Sequence, residues 1–340
     1  MNIYGCTLED LENYFESIDQ KKFKAQQVYD WLYKKRVNSF DEMTNIKKEV
    51  IDTLKKDFVI KKPTIIDKQI GKDVYKYLFE LEDESKVEAV LMIHDYGNSL
   101  CVSTEVGCNM GCAFCESGRQ KKKRNLEASE IVSQILVVEE NLQKRISHVV
   151  LMGIGEPFDN YVNIMKFIKI INSSQGIDIG SRHITVSTCG IVPKIKEFAS
   201  ENLQVNLAIS LHAPNNEIRN KIMRINKVYP IEQIIEAVKY YIEKTNRRVT
   251  FEYIMLKDIN DSKENAKQLA DLLKGINAYV NLIPYNETSY INLKKTDNEN
   301  IMKFYDVLKK NKINVTVRRE FGTEVSAACG QLKSQYEEGK

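Results

Sequence analysis

The sequence predicts an α/β fold, in which a parallel sheet is covered by helices. From residue 98 onward, short apolar strand patterns alternate with amphipathic helix patterns. Such an alternation is typical of an open doubly wound sheet or of a full or partial barrel. Before residue 63, by contrast, the apolar positions follow the helical period, and between 63 and 97 they alternate as in a hairpin.

Residues 1–62 are predicted to form a small helical domain. Apolar positions that share a helical face are Leu8, Leu11 and Tyr14–Phe15, then Phe23, Val28, Trp31 and Leu32, and a third helix is expected from Met43 to Phe58. Residues 20–62 carry twelve Lys and Arg against six acids, whereas 1–19 carry five acids and no bases. Such a basic run is usually a solvated helix face, and a bound polyanion is the competing interpretation.

The following elements are expected in order along the chain. Residues 63–97 predict a β-hairpin extension whose strands are Val74–Leu81 and Lys86–Ile93. Further strands are expected near 99–105, 147–152, 182–187, 204–211, 248–255, 278–283 and at Ile313–Val317. Helices are expected near 126–143, 160–172, 192–200, 230–244, 262–274 and 297–311. The core is therefore assigned to 98–325, with a short C-terminal segment at 326–340.

Composition limits the classes of function. A chain of 340 residues with 43% hydrophobic content can build about two domains, and a net charge of +3 confines any nucleic-acid surface to a local patch. The N-terminus lacks the apolar core of a signal peptide, and no run of about 18 apolar residues predicts a membrane span. Seven cysteines, an odd number that crowds one loop, are unlike a secreted disulfide framework. A cytoplasmic, reduced protein is predicted.

Three cysteines, Cys108, Cys112 and Cys115, stand within eight residues. Thiolates at this spacing can hold three irons of a [4Fe–4S] cube and leave the fourth iron open to a small molecule. The competing interpretation is half of a zinc site, but zinc usually takes two ligand pairs. No second cysteine pair exists, and none of the four histidines is close in sequence. The iron–sulfur cluster is therefore favoured.

Unusual segments follow five of the predicted parallel strands, where the active sites of such folds gather. They are the cysteine loop, Gly153–Pro157, Ser187–Gly190, Ser210–His212 and Pro284–Asn286. Glu156 can accept hydrogen bonds from an α-ammonium group, and the serines, His212 and Asn286 can bond ribose or carboxylate oxygens. Taken singly, each is more often a turn or core polar group. Phe114 is expected to shield the cluster, stack on an adenine or pack in the core.

The cysteine loop resembles that of radical S-adenosylmethionine (SAM) enzymes, and nearly the whole chain resembles the RlmN family of dual-specificity RNA adenosine C2-methyltransferases. The motifs that carry this resemblance are CNMGCAFC at 108–115, RNL at 124–126, MGIGEPFDN at 152–160, RHITVSTCGIVPKI at 182–195, LAISLHAPN at 207–215, MRINKVYPI at 223–231, RREFG at 318–322 and AACGQL at 327–332. The N-terminal run from Phe23 through Trp31 to Met43 resembles the family's RNA-binding accessory domain.

The resemblance implies a partial (β/α)6 TIM-type barrel that holds a [4Fe–4S] cluster on Cys108, Cys112 and Cys115 and uses two SAM molecules per turnover. By motif, the residues that contact SAM are Gly155, Glu156, Ser187, Ser210, Leu211, His212 and Asn286. Cys329 matches the cysteine that is itself methylated, Cys101 the cysteine that resolves the protein–RNA adduct by forming a disulfide, and Glu88 the proposed proton acceptor. Arg318 and Arg319 would favour the thiolate of Cys329, and the alternative is that both are strand-edge surface residues.

The resemblance also implies partners. They are 23S rRNA, tRNA in some members, a one-electron donor such as flavodoxin or ferredoxin, and a thiol reductant. A monomer is expected, with no membrane contact. Lys121–Arg124 and the basic 20–62 region are candidate phosphate contacts. One departure from the family is Glu116, which is expected to alter the cluster potential or to face water, while Cys6 and Cys189 are interpreted as core thiols.

Two alternatives stay open at this point. A Cfr-like relative, which methylates adenosine C8 and confers antibiotic resistance, shares the same cysteines, although the GEPFDN run and the RREFG tail favour the C2 enzyme. From another class, a non-catalytic Fe–S or zinc RNA-binding protein would also carry the cysteine loop and the basic runs.

Overall fold

The computed structural model describes residues 1–288 and 291–318. The helices of these residues are α1 (Leu8–Ser17), α2 (Phe23–Tyr33), α3 (Lys48–Asp57), α4 (Ala128–Leu142), α5 (Tyr161–Asn172), α6 (Val192–Ala199), α7 (Asn216–Ile222), α8 (Ile231–Thr245), α9 (Lys263–Leu273) and α10 (Asn298–Lys310). The strands are β1 (Thr64–Ile70), β2 (Val74–Glu80), β3 (Lys86–His94), β4 (Gly97–Cys101), β5 (Glu105–Val106), β6 (Arg124–Asn125), β7 (His148–Leu151), β8 (Ile184–Thr188), β9 (Asn206–Ser210), β10 (Val249–Met255), β11 (Ala278–Pro284) and β12 (Asn314–Val317).

Ten strands form one mixed sheet in the order β1-β2-β3-β4-β7-β8-β9-β10-β11-β12. The first four are antiparallel, and from β4 to β12 every pair is parallel. The helices α4, α5, α6, α8, α9 and α10 occupy the successive crossovers between the parallel strands. The order ends on β1 and β12, so the sheet stays open among the described residues and forms a partial barrel of six strand–helix units, as predicted.

The main core lies between the sheet and its helices, where apolar side chains of both layers form one buried cluster. The inner face of the sheet carries a second, smaller apolar cluster that includes Val90, Cys101 and Ile154. The same face lines a cavity of about 1330 Å³. This inner space, called the lumen below, is where buried polar groups from several strands can meet.

The antiparallel part differs from the predicted hairpin. β1 adds a third strand to β2 and β3, and Val90 of β3 pairs with Cys101 of β4, so the extension is continuous with the barrel sheet. β1 was not predicted because its sequence, TIIDKQI, does not alternate and is half-buried along most of its length. The strand expected at 99–105 is divided, because the chain turns after Cys101 and Glu105–Val106 pairs with Arg124–Asn125 instead.

Two buried tyrosines of α2 tie this helix to the N-terminal residues that precede α1. The Tyr29 hydroxyl donates to the Cys6 carbonyl at 2.9 Å, and the Tyr33 hydroxyl donates to the Tyr4 carbonyl at 3.1 Å. The third helix begins at Lys48 rather than Met43, because a short 3-10 turn at Phe40–Glu42, capped by Ser39, precedes it. No helix in the described part of the chain combines the length and apolar character that a membrane span requires.

Part of the basic charge at 20–62 is neutralised within the molecule. Arg36 pairs with Glu139 and Lys62 with Glu140, both on α4, and Lys61 pairs with Glu82. These carboxylates lie outside the N-terminal region, so the local excess of positive charge is smaller than the sequence of that region alone indicates.

Candidate active site

The cysteine loop starts where the first parallel strand ends and is closed at its base by β5 and β6. The backbone N–H of Cys108 donates to the carbonyl of Gln120 at 2.9 Å, and that of Ala113 donates to the carbonyl of Ile222 at 2.9 Å. Gly107 has a φ of +75°, and a Cβ there would lie 2.5 Å from the carbonyl oxygen of Lys121. Only glycine therefore allows the two ends of the loop to approach each other so closely.

All three predicted ligands, Cys108, Cys112 and Cys115, line one cleft of about 150 Å³. Each is half-buried, and burial raises the pKa of the Cys108 thiol to about 12 and that of Cys112 further above its usual value. Without a metal these thiols therefore keep their protons at neutral pH. Binding of iron would displace those protons, because thiolates are the species that bind iron. Among the described residues no three His, Cys, Asp or Glu side chains converge on one ion. A cube does not require such convergence, because each of its irons takes its own thiolate.

The strand end after β7 approaches the Glu105 side chain on β5 more closely than a Cβ at position 155 would allow. Gly155 has a φ of +110°, and a Cβ there would lie 2.6 Å from the Cβ of Glu105. The Glu156 carboxylate accepts from the N–H of Phe158 at 3.0 Å and from the N–H of Cys189 at 2.7 Å. Burial raises the pKa of Glu156. The carboxylate, which the Thr188 side chain also contacts, thus joins two loops of the rim.

Ser187 and Ser210 end neighbouring strands, and their hydroxyl oxygens lie 3.4 Å apart in the cleft wall. His212 follows with a φ of +58°, and its Nδ1 accepts from the N–H of Ile254 at 3.1 Å. Burial and the nearby Arg219 lower the pKa of His212 to about 3. The ring is therefore neutral, carries its proton on Nε2 and can donate one hydrogen bond from that atom.

Two predicted SAM contacts stand back from the cleft. Leu211 is fully buried, and its carbonyl accepts from Arg219. Asn286 is also buried, and its side-chain amide donates to the Pro284 carbonyl at 3.5 Å. Neither lines the cleft that holds the other predicted residues. Phe114 does line it, and its ring meets His212 edge-on at 4.9 Å within a small apolar cluster.

Arg219 is a structural residue of the site that sequence reasoning missed. It is completely buried, and its guanidinium donates to the carbonyls of Leu211 at 3.0 Å, Ser210 at 3.2 Å and Cys189 at 2.6 Å. It also donates to Asn226 Oδ1 at 2.9 Å. Arg219 therefore fixes the ends of β8 and β9 relative to α7. The only sequence signal for the structural role of Arg219 was its position in the mostly polar run NEIRNKI.

The proposed adduct chemistry concerns the inner face of the antiparallel strands. Cys101 is buried beside Val90 and Ile154, and Met152 of the same apolar cluster lines both the cleft and the lumen. Glu88 lies on β3, two residues before the partner of Cys101, so the two side chains share one face of the sheet. Cys329, Arg319 and the segment 326–340 lie outside the described residues.

Glu252 is a second residue that the sequence did not single out. It is buried on β10 and lines both the cleft and the lumen. Its Oε1 accepts from Asn281 at 3.0 Å, and Asn281 in turn accepts from Thr316 at 2.9 Å. Its Oε2 is buried and has no hydrogen-bond partner among the described residues. Burial raises the pKa of this carboxyl group, and Arg318 opposes that rise.

The basic run after the cluster loop is largely engaged in ion pairs. Lys122 contacts Glu105 at 2.6 Å and Asp159 at 2.7 Å, and Arg124 contacts both Asp83 and Glu130. The predicted phosphate contacts of this run are thus narrowed mainly to its exposed members, Lys121 and Lys123.

The remaining sequence expectations concern three isolated groups. Glu116 does not face water: it is buried, with Arg119 at 3.2 Å from one carboxylate oxygen. Cys6 is a buried thiol in the main core, where burial raises its pKa to about 12. Cys189 is buried too, but it lines the cleft together with the three ligand cysteines.

Comparison with known proteins agrees with this geometry. Residues 102–273 match the model of the radical SAM superfamily, and residues 1–60 match that of the ribosomal RNA large subunit methyltransferase N-terminal domain. A probable dual-specificity RNA methyltransferase RlmN of Enterococcus faecalis is 56% identical over 98% of this chain and 96% of its own length. The protein of the same name from Listeria monocytogenes is 54% identical over 98% of this chain and 94% of its own length.

The solved structures include a similar molecule of full length. The crystal structure of a radical SAM methyltransferase from Sphaerobacter thermophilus superposes with a TM-score of 0.92 at 37% identity, covering 98% of this chain and 99% of that one. Membership of the superfamily entails a [4Fe–4S] cluster and SAM, which the three thiols and the cleft beside them fit, since Glu156, Ser187, Ser210 and His212 line its wall. The chain therefore belongs to the RlmN family of dual-specificity radical SAM RNA methyltransferases.

Proposed function

We propose that this enzyme methylates C2 of an adenosine in the peptidyl-transferase region of 23S rRNA, and an adenosine in the anticodon loop of tRNA, in the cytoplasm. One observation carries the proposal. Cys101 and Glu88 share the inner face of the sheet, and Met152, packed beside Cys101, also lines the cleft of the three ligand cysteines. A thiol and a carboxylate beside a radical-generating site are what release of a methylated base from a protein thioether requires.

The chemistry follows from the carbon that is modified. C2 of adenine lies between two ring nitrogens and has no lone pair, so it cannot displace a methyl group as a thiolate can. When bound, the cluster supplies the electron that cleaves SAM, and SAM supplies the methyl group and the means to activate it. Cys329 accepts that methyl group as a thiolate and then carries it to C2. Glu88 takes the C2 proton, and Cys101 attacks the Cys329 sulfur.

The binding residues hold the cluster and SAM during these reaction steps. Cys108, Cys112 and Cys115 hold the cluster, and SAM binds among the rim residues Gly155, Glu156, Ser187, Ser210, Leu211, His212 and Asn286. The neutral His212 offers a donor to an acceptor atom of SAM, and the Glu156 oxygens can accept from its α-ammonium group. A thiol reductant reopens the Cys101–Cys329 disulfide after each turnover.

The proposal assigns further partners and segments. A flavodoxin or ferredoxin supplies electrons to a monomeric enzyme. Residues 1–62 bind RNA as an accessory domain, 63–97 extend the sheet, 98–325 form the catalytic core and 326–340 carry Cys329. The Listeria and Enterococcus relatives are named as dual-specificity RNA methyltransferases, which supports more than one kind of RNA substrate, and the matching N-terminal domain model names ribosomal RNA.

Replacing Cys101 by Ala tests the mechanism. Without the attacking thiol, the variant should accumulate a covalent protein–RNA species that migrates slowly on a denaturing gel. Cys6→Ala is the matched control, because Cys6 is a buried thiol in the main core away from the cleft, and it should release methylated RNA at the rate of the unaltered enzyme. Free, fully methylated RNA from Cys101→Ala would contradict the role of Cys101.

Nucleoside mass spectrometry tests the position of the methyl group. RNA treated with the reconstituted enzyme and SAM should yield 2-methyladenosine from both an rRNA fragment and a tRNA. A yield of 8-methyladenosine would instead identify the Cfr-like activity. Absence of any SAM cleavage by iron-loaded protein would favour a non-catalytic RNA-binding protein.

A further inference from the structure

Glu88 is not alone on the inner face of the sheet. The Lys76 ammonium lies 2.7 Å from Glu88 Oε1, and the two side chains are 3% and 1% exposed. Few ion pairs in the described residues are so completely removed from water. The pair lies on β2 and β3, in the extension that precedes the radical SAM core.

The strand register aligns this pair with Cys101. Lys76 is the cross-strand partner of Val90, and Val90 is the partner of Cys101, so these three residues form one row across β2, β3 and β4. Glu88 lies two residues before Val90 on the same face. It is therefore a diagonal neighbour of both Lys76 and Cys101. The carbonyl of Glu88 accepts from the Ser103 hydroxyl at 2.5 Å, which fixes its backbone.

Stability alone gives little reason to keep this pair. Removing two charges from water costs several kcal/mol per ion, and a well-packed apolar pair of similar volume is often as stable or more stable. The neighbours on the same face include Val74, Leu78 and Val90, all buried, so an apolar pair would fit the surroundings. The ion pair does hold the Glu88 carboxylate beside a cation and in a fixed position on the inner face of the sheet.

We propose that Lys76 is a positioning residue for Glu88, and that it is required for the step in which the C2 proton leaves and the RNA is released. The proposal rests on the proposed function, in which Glu88 is the proton acceptor. Lys76 touches neither RNA nor SAM in this role. It keeps the acceptor charged before the proton arrives.

The atoms balance as follows. Once a one-electron acceptor has taken the unpaired electron of the adduct, C2 bears both its hydrogen and the methylene group bound to Cys329. The C2–H bond breaks, its electron pair restores the aromatic ring, and the proton goes to Glu88. The Cys101 thiolate then forms the S–S bond, the C–S bond breaks with its pair on carbon, and that carbon takes one proton from Glu88 to become the methyl group.

The test compares Lys76→Met with Lys76→Arg in the reconstituted full-length enzyme. Lys76→Met should still methylate Cys329 and produce 5′-deoxyadenosine within about threefold of the unaltered enzyme. Release of methylated RNA should fall about 10²-fold, the contribution expected of a general base, and the protein–RNA adduct should accumulate. Lys76→Arg keeps a cation beside Glu88 and should restore most of the release.

The control is Lys68→Met, on β1 next to β2. Lys68 pairs with Tyr77, whose side chain faces away from the lumen, and its ammonium contacts Asn141. This variant should behave like the unaltered enzyme in every step. Because Lys76→Met leaves a buried charge unpaired, the double variant Lys76→Met/Glu88→Gln is included, and it should melt at a higher temperature than the single variant while still trapping the adduct.

Three outcomes would overturn the proposal. The first is release of methylated RNA at the normal rate by Lys76→Met. The second is that Lys76→Met loses Cys329 methylation, 5′-deoxyadenosine production and RNA release to the same extent, which indicates a purely structural role. The third is complete trapping of the adduct by a stably folded Lys76→Arg. Failure of the proposed function is distinguishable from all three, because the unaltered enzyme itself would then yield no 2-methyladenosine.

Discussion

Replacing Arg219 by Met should damage both stability and SAM binding, because one buried guanidinium holds the rim together. Met fills most of the apolar volume but donates no hydrogen bond. The carbonyls of Leu211, Ser210 and Cys189, with Asn226 Oδ1, then lose a donor in a dry environment. Burial lowers the pKa of Arg219 to about 10, so the lost bonds are charge-assisted at neutral pH.

The magnitude follows from these bonds. Each buried acceptor left without its donor costs about 1–3 kcal/mol, so loss of these bonds together should cost at least about 3–5 kcal/mol. At about 2 °C per kcal/mol, the value for large domains, the midpoint of thermal unfolding should fall by roughly 6–10 °C. Without these bonds, the ends of β8 and β9 and the residues that follow them are no longer held in place, and they carry Ser187, Ser210 and His212. SAM should therefore bind at least about tenfold more weakly, which is about 1.4 kcal/mol.

The assay is thermal unfolding and equilibrium dialysis with labelled SAM on anaerobically reconstituted protein. The matched control is Arg182→Met, because Arg182 is exposed at the opposite ends of the parallel strands, and surface changes usually stay within about 0.5 kcal/mol. If Arg219→Met melted within 2 °C of the control and bound SAM with an unchanged Kd, the argument that Arg219 fixes the rim would be wrong.

Three further predictions concern the rim and the basic run. Lys121→Ala should reduce the slope of log K against log salt for RNA binding by about one, whereas Arg124→Ala, whose ion pairs are internal, should leave it unchanged in anisotropy titrations. Burial raises the pKa of Glu105 from 4.5 to about 7, so ionisation of this carboxyl group destabilises the fold as the pH rises through that window. The Glu105→Gln variant should therefore melt at a higher temperature than the unaltered protein at about pH 8. This difference should vanish near pH 4.5. Gly155→Ala, at a φ of +110° and 2.6 Å from Glu105 Cβ, should cost at least about 1–2 kcal/mol in chemical denaturation.

The parallel part of the fold was predictable because its signals are local. Each strand from 147 to 317 reads as a short apolar run, and each crossover helix has one apolar face, so most boundaries agree within two residues. The antiparallel part was less accessible. β1 is a half-buried edge strand without alternation, and the turn after Cys101 depends on the pairing of β5 with β6.

The candidate site likewise contains residues whose positions were predictable from the sequence and residues whose positions were not. The positions of Cys108, Gly155 and Ser210 on one rim followed from the rule that parallel strands end at one edge, and these residues do line a common cleft. Their catalytic and binding roles stay predictions. Leu211 and Asn286 were expected beside them on motif alone, and they lie outside that cleft.

The sequence by itself determined the class of chemistry, because three thiols on one loop and a succession of strand ends are properties of adjacent residues. Tertiary structure alone decided which distant groups meet. Lys76 and Glu88 look like ordinary strand charges until the register of β2 and β3 brings them together in a dry interior, and Arg219 looks like a surface cation until α7 is folded over the rim. Charge becomes functional in such places because burial removes the water that would otherwise screen it, and burial is a property of the whole fold.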